Sequence, residues 1–207
     1  MKTLKEICKP FNDLYGIDPD SYTDKNTTHS YLDVYENYFT TKRDNVKLLE
    51  IGMATGGSMH LWTHYFEKYH LEGVDIGASW RDLHNRGLMD FQTALNNNRD
   101  VHTHFNINSR SAAQASVVPN QFYDFVIDDG DHSLEAQCET FDAYYNKTAA
   151  GGVYFIEDIS ADHFEQLRSY VSTRVGSDVI IEEYRGPKFT WSRDDNILII
   201  RRGSVCE

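Results

Sequence analysis

An apolar run followed by a glycine-rich loop constrains this chain more than any other feature. Residues 48–51 read Leu-Leu-Glu-Ile, and the loop that follows carries Gly52, Gly56 and Gly57. A helical pattern comes next, and the following apolar run ends at Asp75. A strand, a tight glycine turn, a helix and a second strand that ends in a carboxylate form the first half of a nucleotide-binding βαβ unit. The sequence therefore predicts a ligand crevice where these strands end.

The loop differs from loops that bind phosphate groups. Ala54 stands where the dinucleotide-binding fingerprint has its second glycine, and no lysine follows as in a phosphate-binding loop. Asp75 lies about 20 residues further on, where an acidic side chain accepts hydrogen bonds from the hydroxyls of a ribose. A cofactor with a ribose but no phosphate fits this combination, which favours S-adenosylmethionine (SAM). The alternative interpretation is an ordinary strand–turn–helix with a solvated Asp75.

Apolar runs and helical patterns alternate along the rest of the chain. We predict strands at 46–51, 71–76, 101–105, 122–127, 153–156, 179–183 and 196–201. We predict an irregular segment at 1–24 and helices at 27–40 (with Thr27 or Thr28 near its cap), 59–69, 111–118, 134–145 and 162–175, with another around 89–95. Strands that alternate with helices imply a mostly parallel sheet covered on both faces.

The expected fold class is α/β: a Rossmann-like, doubly wound, mostly parallel seven-stranded sheet with a C-terminal antiparallel strand. We expect a single domain, in which residues 1–45 form an N-terminal cap segment and helix and residues 46–207 form the SAM-binding part. The chain has 207 residues, 40% of them hydrophobic, which is enough for a full core.

Charge and composition exclude several classes of partner. The chain has 20 basic and 32 acidic residues and a net charge of −12, so it repels phosphate backbones and we expect no nucleic-acid partner. No stretch approaches the ~20 apolar residues of a membrane span, and the N-terminus lacks the apolar core of a signal peptide. Cys8, Cys138 and Cys206 lie far apart, which indicates free thiols in a reducing compartment. We therefore expect a cytoplasmic protein without a membrane partner.

Acidic side chains follow two of the predicted strands, the fourth and the fifth. They are Asp128, Asp129, Asp131, Glu157 and Asp158. The carboxyl ends of parallel strands meet at one edge of a sheet, and carboxylates crowded there repel one another unless some are protonated or a cation neutralises them. Carboxylate oxygens without cysteine suit Mg²⁺, Mn²⁺ or Ca²⁺. The alternative is a set of solvated acids at strand ends and helix caps, with Asp131 as the cap of the helix at 134–145.

At these residues the chain resembles the class I SAM-dependent methyltransferases. The resemblance is to the metal-dependent sugar O-methyltransferases of macrolide biosynthesis and the related cephalosporin-hydroxylase-like group, and it covers most of residues 22–160. It rests on Thr23-Asp24-Lys25 with His29 and Tyr31, on Leu49-Glu50-Ile51-Gly52, on Asp128-Asp129-Gly130-Asp131-His132 with Gln137 and Phe141, and on Gly151-Gly152-Val153-Tyr154 before Glu157-Asp158.

The resemblance implies a role for each of these residues. Asp129, Glu157 and Asp158 would bind Mg²⁺ (or Mn²⁺), and His132 would be the general base beside the catalytic Asp129. Glu50, Gly52, Asp75 and Asp128 would contact SAM, with the segment around Lys25 over it. We add Ser58, where the helix after the loop begins.

Two departures from the family pattern affect these expectations. The loop at 106–109 lacks the acidic residue usual there, so we predict instead that Ile107 packs on the adenine and that Asn108 bonds its amino group. Macrolide enzymes often carry a further N-terminal domain that shapes the pocket and the oligomer, whereas this chain has only about 45 residues before its first strand. Homo-oligomerisation therefore stays open.

The predicted function is SAM-dependent, divalent-metal-dependent O-methylation of a sugar or glycoside. A divalent cation that binds a vicinal diol stabilises the alkoxide, and a histidine accepts the proton at neutral pH. Two alternatives remain: a catechol-type O-methyltransferase, which a Trp or Tyr wall near the metal would favour (Trp80 and Trp191 are candidates), and a non-catalytic SAM-binding protein that keeps the fold.

Overall fold

A seven-stranded sheet forms the centre of the computed structural model, which describes residues 2–15, 22–77, 95–187 and 193–204. Its strands are β1 (Val46–Ile51), β2 (Tyr69–Asp75), β3 (Val101–Phe105), β4 (Tyr123–Asp128), β5 (Thr148–Ile156), β6 (Ile180–Arg185) and β7 (Asn196–Arg201). Their order in the sheet is β3-β2-β1-β4-β5-β7-β6. Strands β1 to β5 are parallel, and β7 is antiparallel to both β5 and β6. The predicted fold class is confirmed.

Helices cover both faces of this sheet. They are α1 (Leu4–Tyr15), α2 (Leu32–Phe39), α3 (Gly57–Tyr65), α4 (Leu134–Tyr144) and α5 (Phe164–Ser172). Alternate residues of each strand enter opposite cores, because successive side chains of a strand point to opposite faces. In β7, Ile197 and Ile199 join the core with α1, α2 and α3, whereas Leu198 and Ile200 join the core with α4 and α5.

The N-terminal segment differs most from the sequence prediction. Residues 1–24 were expected to be irregular, but residues 4–15 form α1. Leu4, Ile7 and Cys8 are buried in the core and recur at helical spacing, so one face of α1 packs against the domain. The prediction of an irregular segment was wrong, because the helical spacing of apolar residues indicates a helix more strongly than the nearby turn-forming residues indicate a loop.

Most other elements lie within a few residues of their predicted bounds. Helix α2 begins at Leu32, five residues later than predicted, because residues 24–29 form a turn in which the N–H groups of Thr27 and His29 both donate to the carbonyl of Asp24. Helix α3 ends at Tyr65, since β2 already begins at Tyr69. The predicted helix at 111–118 is a 3₁₀ turn at Gln114–Val117, and the one around 89–95 lies almost wholly outside the described residues.

Close backbone contacts fix the edge of the sheet where the ligand crevice was expected. A Cβ on Gly52 would lie 2.1 Å from the carbonyl oxygen of Asp129, so the loops after β1 and β4 are in backbone contact. A Cβ on Gly57 would lie 1.5 Å from the carbonyl oxygen of Tyr22, so the segment before α2 lies directly against the start of α3. Glycine is required at both positions by this close approach.

No helix in the described ranges combines the length and the apolar content that a membrane crossing requires.

The aromatic core under α2 should be critical for stability. Phe39 is fully buried, with ring centroids 4.7 Å from Phe125 and 5.3 Å from Trp62. We expect Phe39→Ala to lower the free energy of unfolding by about 3–5 kcal/mol, because it removes buried surface and leaves a cavity. The exposed Leu14 is the control, and Leu14→Ala should change that free energy by no more than about 0.5 kcal/mol. Urea unfolding measures both, and equal losses would contradict the packing described.

Candidate cofactor and metal site

A cavity of about 480 Å³ opens at the carboxyl ends of the central parallel strands. A parallel sheet places ligands at this edge. The predicted site residues that line the cavity are Gly52, Ser58, Asp75, Ile107, Asn108, Asp129, His132 and Asp158. The other predicted site residues, which are Lys25, Glu50, Asp128 and Glu157, are buried behind this wall.

The glycine loop and Asp75 form one wall of the cavity. Gly52, Ala54 and Gly56 all have positive φ angles, of 84°, 45° and 83°. This conformation turns the backbone sharply between β1 and α3. The carboxylate of Asp75 accepts hydrogen bonds from the N–H groups of Ala54, at 3.1 Å, and of Gly77. Asp75 therefore holds the loop in place and borders the space where a ribose was predicted.

Glu50 supports the same wall from behind. It accepts hydrogen bonds from the Ser58 hydroxyl at 2.5 Å and from the indole N–H of Trp62 at 2.8 Å. Burial raises its pKa to about 7, although the nearby Lys25 acts in the opposite direction. In this conformation Glu50 positions Ser58, which lines the cavity, and does not border the cavity itself.

Asp128 has a comparable supporting place at the end of β4. Burial raises its pKa to about 8, against the effect of a hydrogen bond from the N–H of Gly130. The hydroxyl of Tyr154 lies 3.5 Å from its Oδ2. Asp128 thus stabilises the turn that carries Asp129 toward the cavity. The assignments of Glu50 and Asp128 as SAM contacts stay predictions.

Asp129 and Asp158 come together as predicted from the strand ends, and His132, which the resemblance implied as the general base, lies beside them. One ligand atom from each lies within 4.8 Å of the others. The Nε2 of His132 is 3.5 Å from Oδ2 of Asp158, and the His132 side chain is 42% exposed. Burial and the charge of Asp129 raise the pKa of Asp158 to about 8. Two carboxylates and an imidazole at the cavity wall are a donor set that fits a divalent cation.

Lys25 lies behind these groups as a buried cation. Its Nζ is 2.5 Å from Oε2 of Glu157, 2.7 Å from Oδ2 of Asp129 and 4.0 Å from Oε1 of Glu50. Burial alone would lower the pKa of Lys25, but the surrounding carboxylates outweigh it and raise this pKa well above its usual range. The resemblance placed the Lys25 segment over the cofactor, which stays a prediction. The sequence did not indicate that Lys25 is the counter-ion of Glu157 and Asp129.

Glu157 is fully engaged by protein groups. One of its oxygens accepts a hydrogen bond from Tyr35, and the other pairs with Lys25. Its backbone carbonyl accepts from the side-chain amide of Gln137 at 2.9 Å. The assignment of Glu157 as a metal ligand stays a prediction, and it requires the Lys25 ammonium to release the carboxylate.

His132 is not the residue that caps helix α4. Ser133 is the N-cap of α4, and its hydroxyl accepts a hydrogen bond from the N–H of Ala136 at 3.3 Å. Asp131 instead accepts from the N–H of Ser133 at 2.9 Å, so its reading as the helix cap was wrong. His132 is therefore left facing the cavity and Asp158.

In sequence, the chain is similar to curated O-methyltransferases. No family model matches it. It is 30% identical over 150 residues to 8-demethyl-8-alpha-L-rhamnosyl tetracenomycin-C 2'-O-methyltransferase of Streptomyces olivaceus, an alignment that covers 69% of this chain and 36% of that protein. It is 27% identical over 139 residues to demethylmacrocin O-methyltransferase of Streptomyces fradiae, with 63% and 32% covered. The chain thus spans about a third of the length of these curated relatives.

A solved structure shows the fold. The MycE methyltransferase from the mycinamycin biosynthetic pathway, in complex with Mg and SAH, superposes with a TM-score of 0.69 at 19% identity. The match covers 98% of this chain and 55% of that chain. This chain has the class I methyltransferase fold. The resemblance read from the motifs is confirmed, and the cavity lies at the edge of the sheet that the motifs indicated.

The buried lysine of this methyltransferase fold should matter for its stability. We expect Lys25→Met to lower the free energy of unfolding by about 3–5 kcal/mol in EDTA, because Glu157 and Asp129 lose their buried counter-ion. Lys42 forms an ion pair with Asp124 at the surface, and Lys42→Met should cost no more than about 1 kcal/mol.

Adding Mg²⁺ should restore part of the free energy of unfolding that Lys25→Met loses, since the metal ion can neutralise Asp129 in place of the ammonium. Equal effects of the two substitutions in chemical unfolding would show that Lys25 contributes no more than a surface ion pair.

Proposed function

We propose that this chain is a SAM-dependent, divalent-metal-dependent O-methyltransferase that acts on a hydroxyl of a sugar or glycoside. One observation carries the proposal: the loop with Asp75 and the cluster of Asp129, His132 and Asp158 line a single cavity. Both relatives are named as O-methyltransferases, and the name of the first specifies a 2'-oxygen of a rhamnosyl tetracenomycin, which supports the substrate class.

The cofactor half of the cavity fits SAM. A Cβ on Gly52 would overlap the carbonyl oxygen of Asp129, so the cofactor loop lies directly beside the acidic half of the cavity. Asp75 is placed to accept hydrogen bonds from the ribose. Ile107 and Asn108 line the cavity after β3, where we place the adenine. Together these residues would orient the methyl group toward the acidic half of the cavity.

The acidic half fits a divalent cation and an acceptor hydroxyl. Asp129 and Asp158 would bind the cation, with Glu157 as a third ligand if Lys25 releases it. When bound, such a cation lowers the pKa of an acceptor hydroxyl and stabilises the alkoxide. His132 is exposed at the cavity wall, where it would take the proton from that hydroxyl, and Asp158 beside its Nε2 would stabilise the charged imidazole.

The cavity wall favours a sugar over a catechol. Within the described residues, Tyr22 is the only Phe, Tyr or Trp that lines the cavity, and its side chain is buried. Among the described residues of the wall, the carboxylates of Asp129 and Asp158 can accept hydrogen bonds from the hydroxyl groups of a sugar, and no further Phe, Tyr or Trp ring lies there to stack on a catechol. Trp80 and Trp191, the candidates for such a wall, lie outside the described residues.

The segment before β1 is part of the same functional unit in this proposal. Lys25 binds Glu157 and Asp129, and the Tyr31 hydroxyl donates to Asp158 at 2.7 Å. Residues 1–45 would therefore act as a cap on the methyltransferase domain at 46–207. Homo-oligomerisation and a cytoplasmic location stay predictions.

Cofactor binding tests the first half of the proposal. We expect SAM to bind with micromolar affinity in calorimetry, and Asp75→Ala to weaken binding by about 10–100-fold through the loss of two charge-assisted hydrogen bonds. Asp100 is exposed and lies at the opposite end of the sheet, before β3, so Asp100→Ala should bind SAM normally. Binding of NAD without binding of SAM would contradict the assignment.

Turnover tests the second half. With glycosides and catechols as acceptors, we expect transfer to a glycoside that EDTA abolishes and Mg²⁺ or Mn²⁺ restores. His132→Ala should lower kcat by about 10²–10⁴-fold and leave SAM binding unchanged, because the histidine acts only on the acceptor proton. His102→Ala is the control, since that side chain is exposed on β3. Near-normal kcat in the His132 variant, or full activity in EDTA, would rule out the mechanism, and transfer to catechols alone would favour the alternative substrate.

A further inference from the structure

A second set of possible metal ligands lies on the other side of Asp158. Asp24, His29 and Asp158 each offer one ligand atom, and these atoms lie within 4.8 Å of one another. The Nε2 of His29 is 3.7 Å from Oδ2 of Asp24, and its Nδ1 is 3.5 Å from Oδ1 of Asp158. Asp24 also lines the cavity, so an ion can reach this set from solvent.

His29 carries a buried nitrogen that has no hydrogen-bond partner. The residue is 7% exposed, and its Nδ1 is unsatisfied although it points at Asp158. Asp195 does not supply a partner: its Oδ1 is 3.9 Å from that Nδ1 and already accepts from the N–H of Ser30 at 3.0 Å. An unsatisfied buried polar atom is unfavourable and calls for a ligand or ion that the protein does not supply.

Contacts within the protein hold the three side chains in place. The turn at 24–29 fixes His29 over Asp24 through a hydrogen bond from the His29 N–H to the Asp24 carbonyl at 3.0 Å. The His29 ring stacks on Tyr31 at 4.9 Å between centroids. Tyr31 in turn donates its hydroxyl proton to Asp158. Such outer contacts fix ligand orientation in metal sites.

The local charge favours a second cation. Asp24, Asp129 and Asp158 border the cavity, and Glu50 and Glu157 lie behind it. The ammonium of Lys25 lies within 4.0 Å of Glu50, Asp129 and Glu157, so a single positive charge offsets only part of the charge of these five carboxylates. The two oxygens of Asp158 point to different partners, Oδ1 to His29 and Oδ2 to His132. A carboxylate in that position can bridge two ions, as in two-metal sites.

We propose that Asp24, His29 and Asp158 bind a divalent transition-metal ion, such as Mn²⁺, beside the cation at Asp129 and Asp158. An imidazole nitrogen with two carboxylates suits Mn²⁺, Co²⁺ or Zn²⁺, whereas an all-oxygen site suits Mg²⁺. The site does not depend on methyl transfer, and it is tested without cofactor or acceptor.

Electron paramagnetic resonance with Mn²⁺ as the probe provides the test. We expect two Mn²⁺ per chain, counted from the loss of the free-ion signal. Pulsed measurements detect the ¹⁴N coupling of a ligating imidazole. His132→Gln serves as the background, because it removes the other histidine of the cluster. In that background the ¹⁴N coupling should persist, and adding His29→Gln should abolish it and reduce the count by one.

Two further variants keep the result interpretable. Asp24→Asn changes a partly exposed side chain whose turn depends on its backbone carbonyl, so the fold should survive while the same ion binds at least about 10-fold more weakly. His102→Gln should bind Mn²⁺ as the unmodified protein does. ¹⁴N coupling that is absent in the His132→Gln background, or that survives the added His29→Gln, would overturn the proposal. Because SAM binding is measured separately, that outcome would leave the proposed function standing.

Discussion

The burial of one ammonium group among carboxylates is the constraint on which the rest of this site depends. Lys25 is fully buried, and its charge is held by Glu157 and Asp129 from two different strand ends. Removing two carboxylates from water is unfavourable unless a cation accompanies them, and the lysine supplies that cation within the fold. The strands β4 and β5 can therefore end in acidic residues side by side without an ion already bound.

This internal charge also divides the acidic cluster into two parts. Glu157 belongs to the inner part, where Lys25 and Tyr35 occupy its two oxygens. Asp158 belongs to the outer part, at the cavity wall, with its backbone in the left-handed region at φ 51°. Because of this backbone conformation, the side chain of Asp158 lies at the cavity wall while that of its neighbour Glu157 lies in the interior. In the proposed function, a metal ion would bind at the outer part, and it would contact Glu157 only if Lys25 released that carboxylate.

The sheet and the main acidic cluster could be predicted because local patterns encode them. The bounds of β1, β3 and β7 agree with the predicted strands. Strands β1 and β7 are mostly apolar, and β3 is a short segment whose two histidines alternate with other residues. The proximity of Asp129 and Asp158 could be predicted because the ends of parallel strands lie at one edge of the sheet, and His132 follows Asp129 closely in the chain. Lys25 could not be assigned in this way, since its partners lie 104 and 132 residues away and no spacing encodes a counter-ion at that distance. The late start of α2 was missed for a related reason: the turn at 24–29 is held against the site by tertiary contacts.

At Gly57 the start of α3, behind the cofactor loop, lies directly against the backbone carbonyl of Tyr22 in the N-terminal segment. The segment that begins at Tyr22 carries Asp24, Lys25 and His29, while Gly57 begins the helix behind the cofactor loop. Any side chain at position 57 would push that segment away from the sheet and displace the charged groups it carries. The start of α3 and the N-terminal segment are therefore structurally coupled, because a larger residue at position 57 fits only if the backbone at Tyr22 moves.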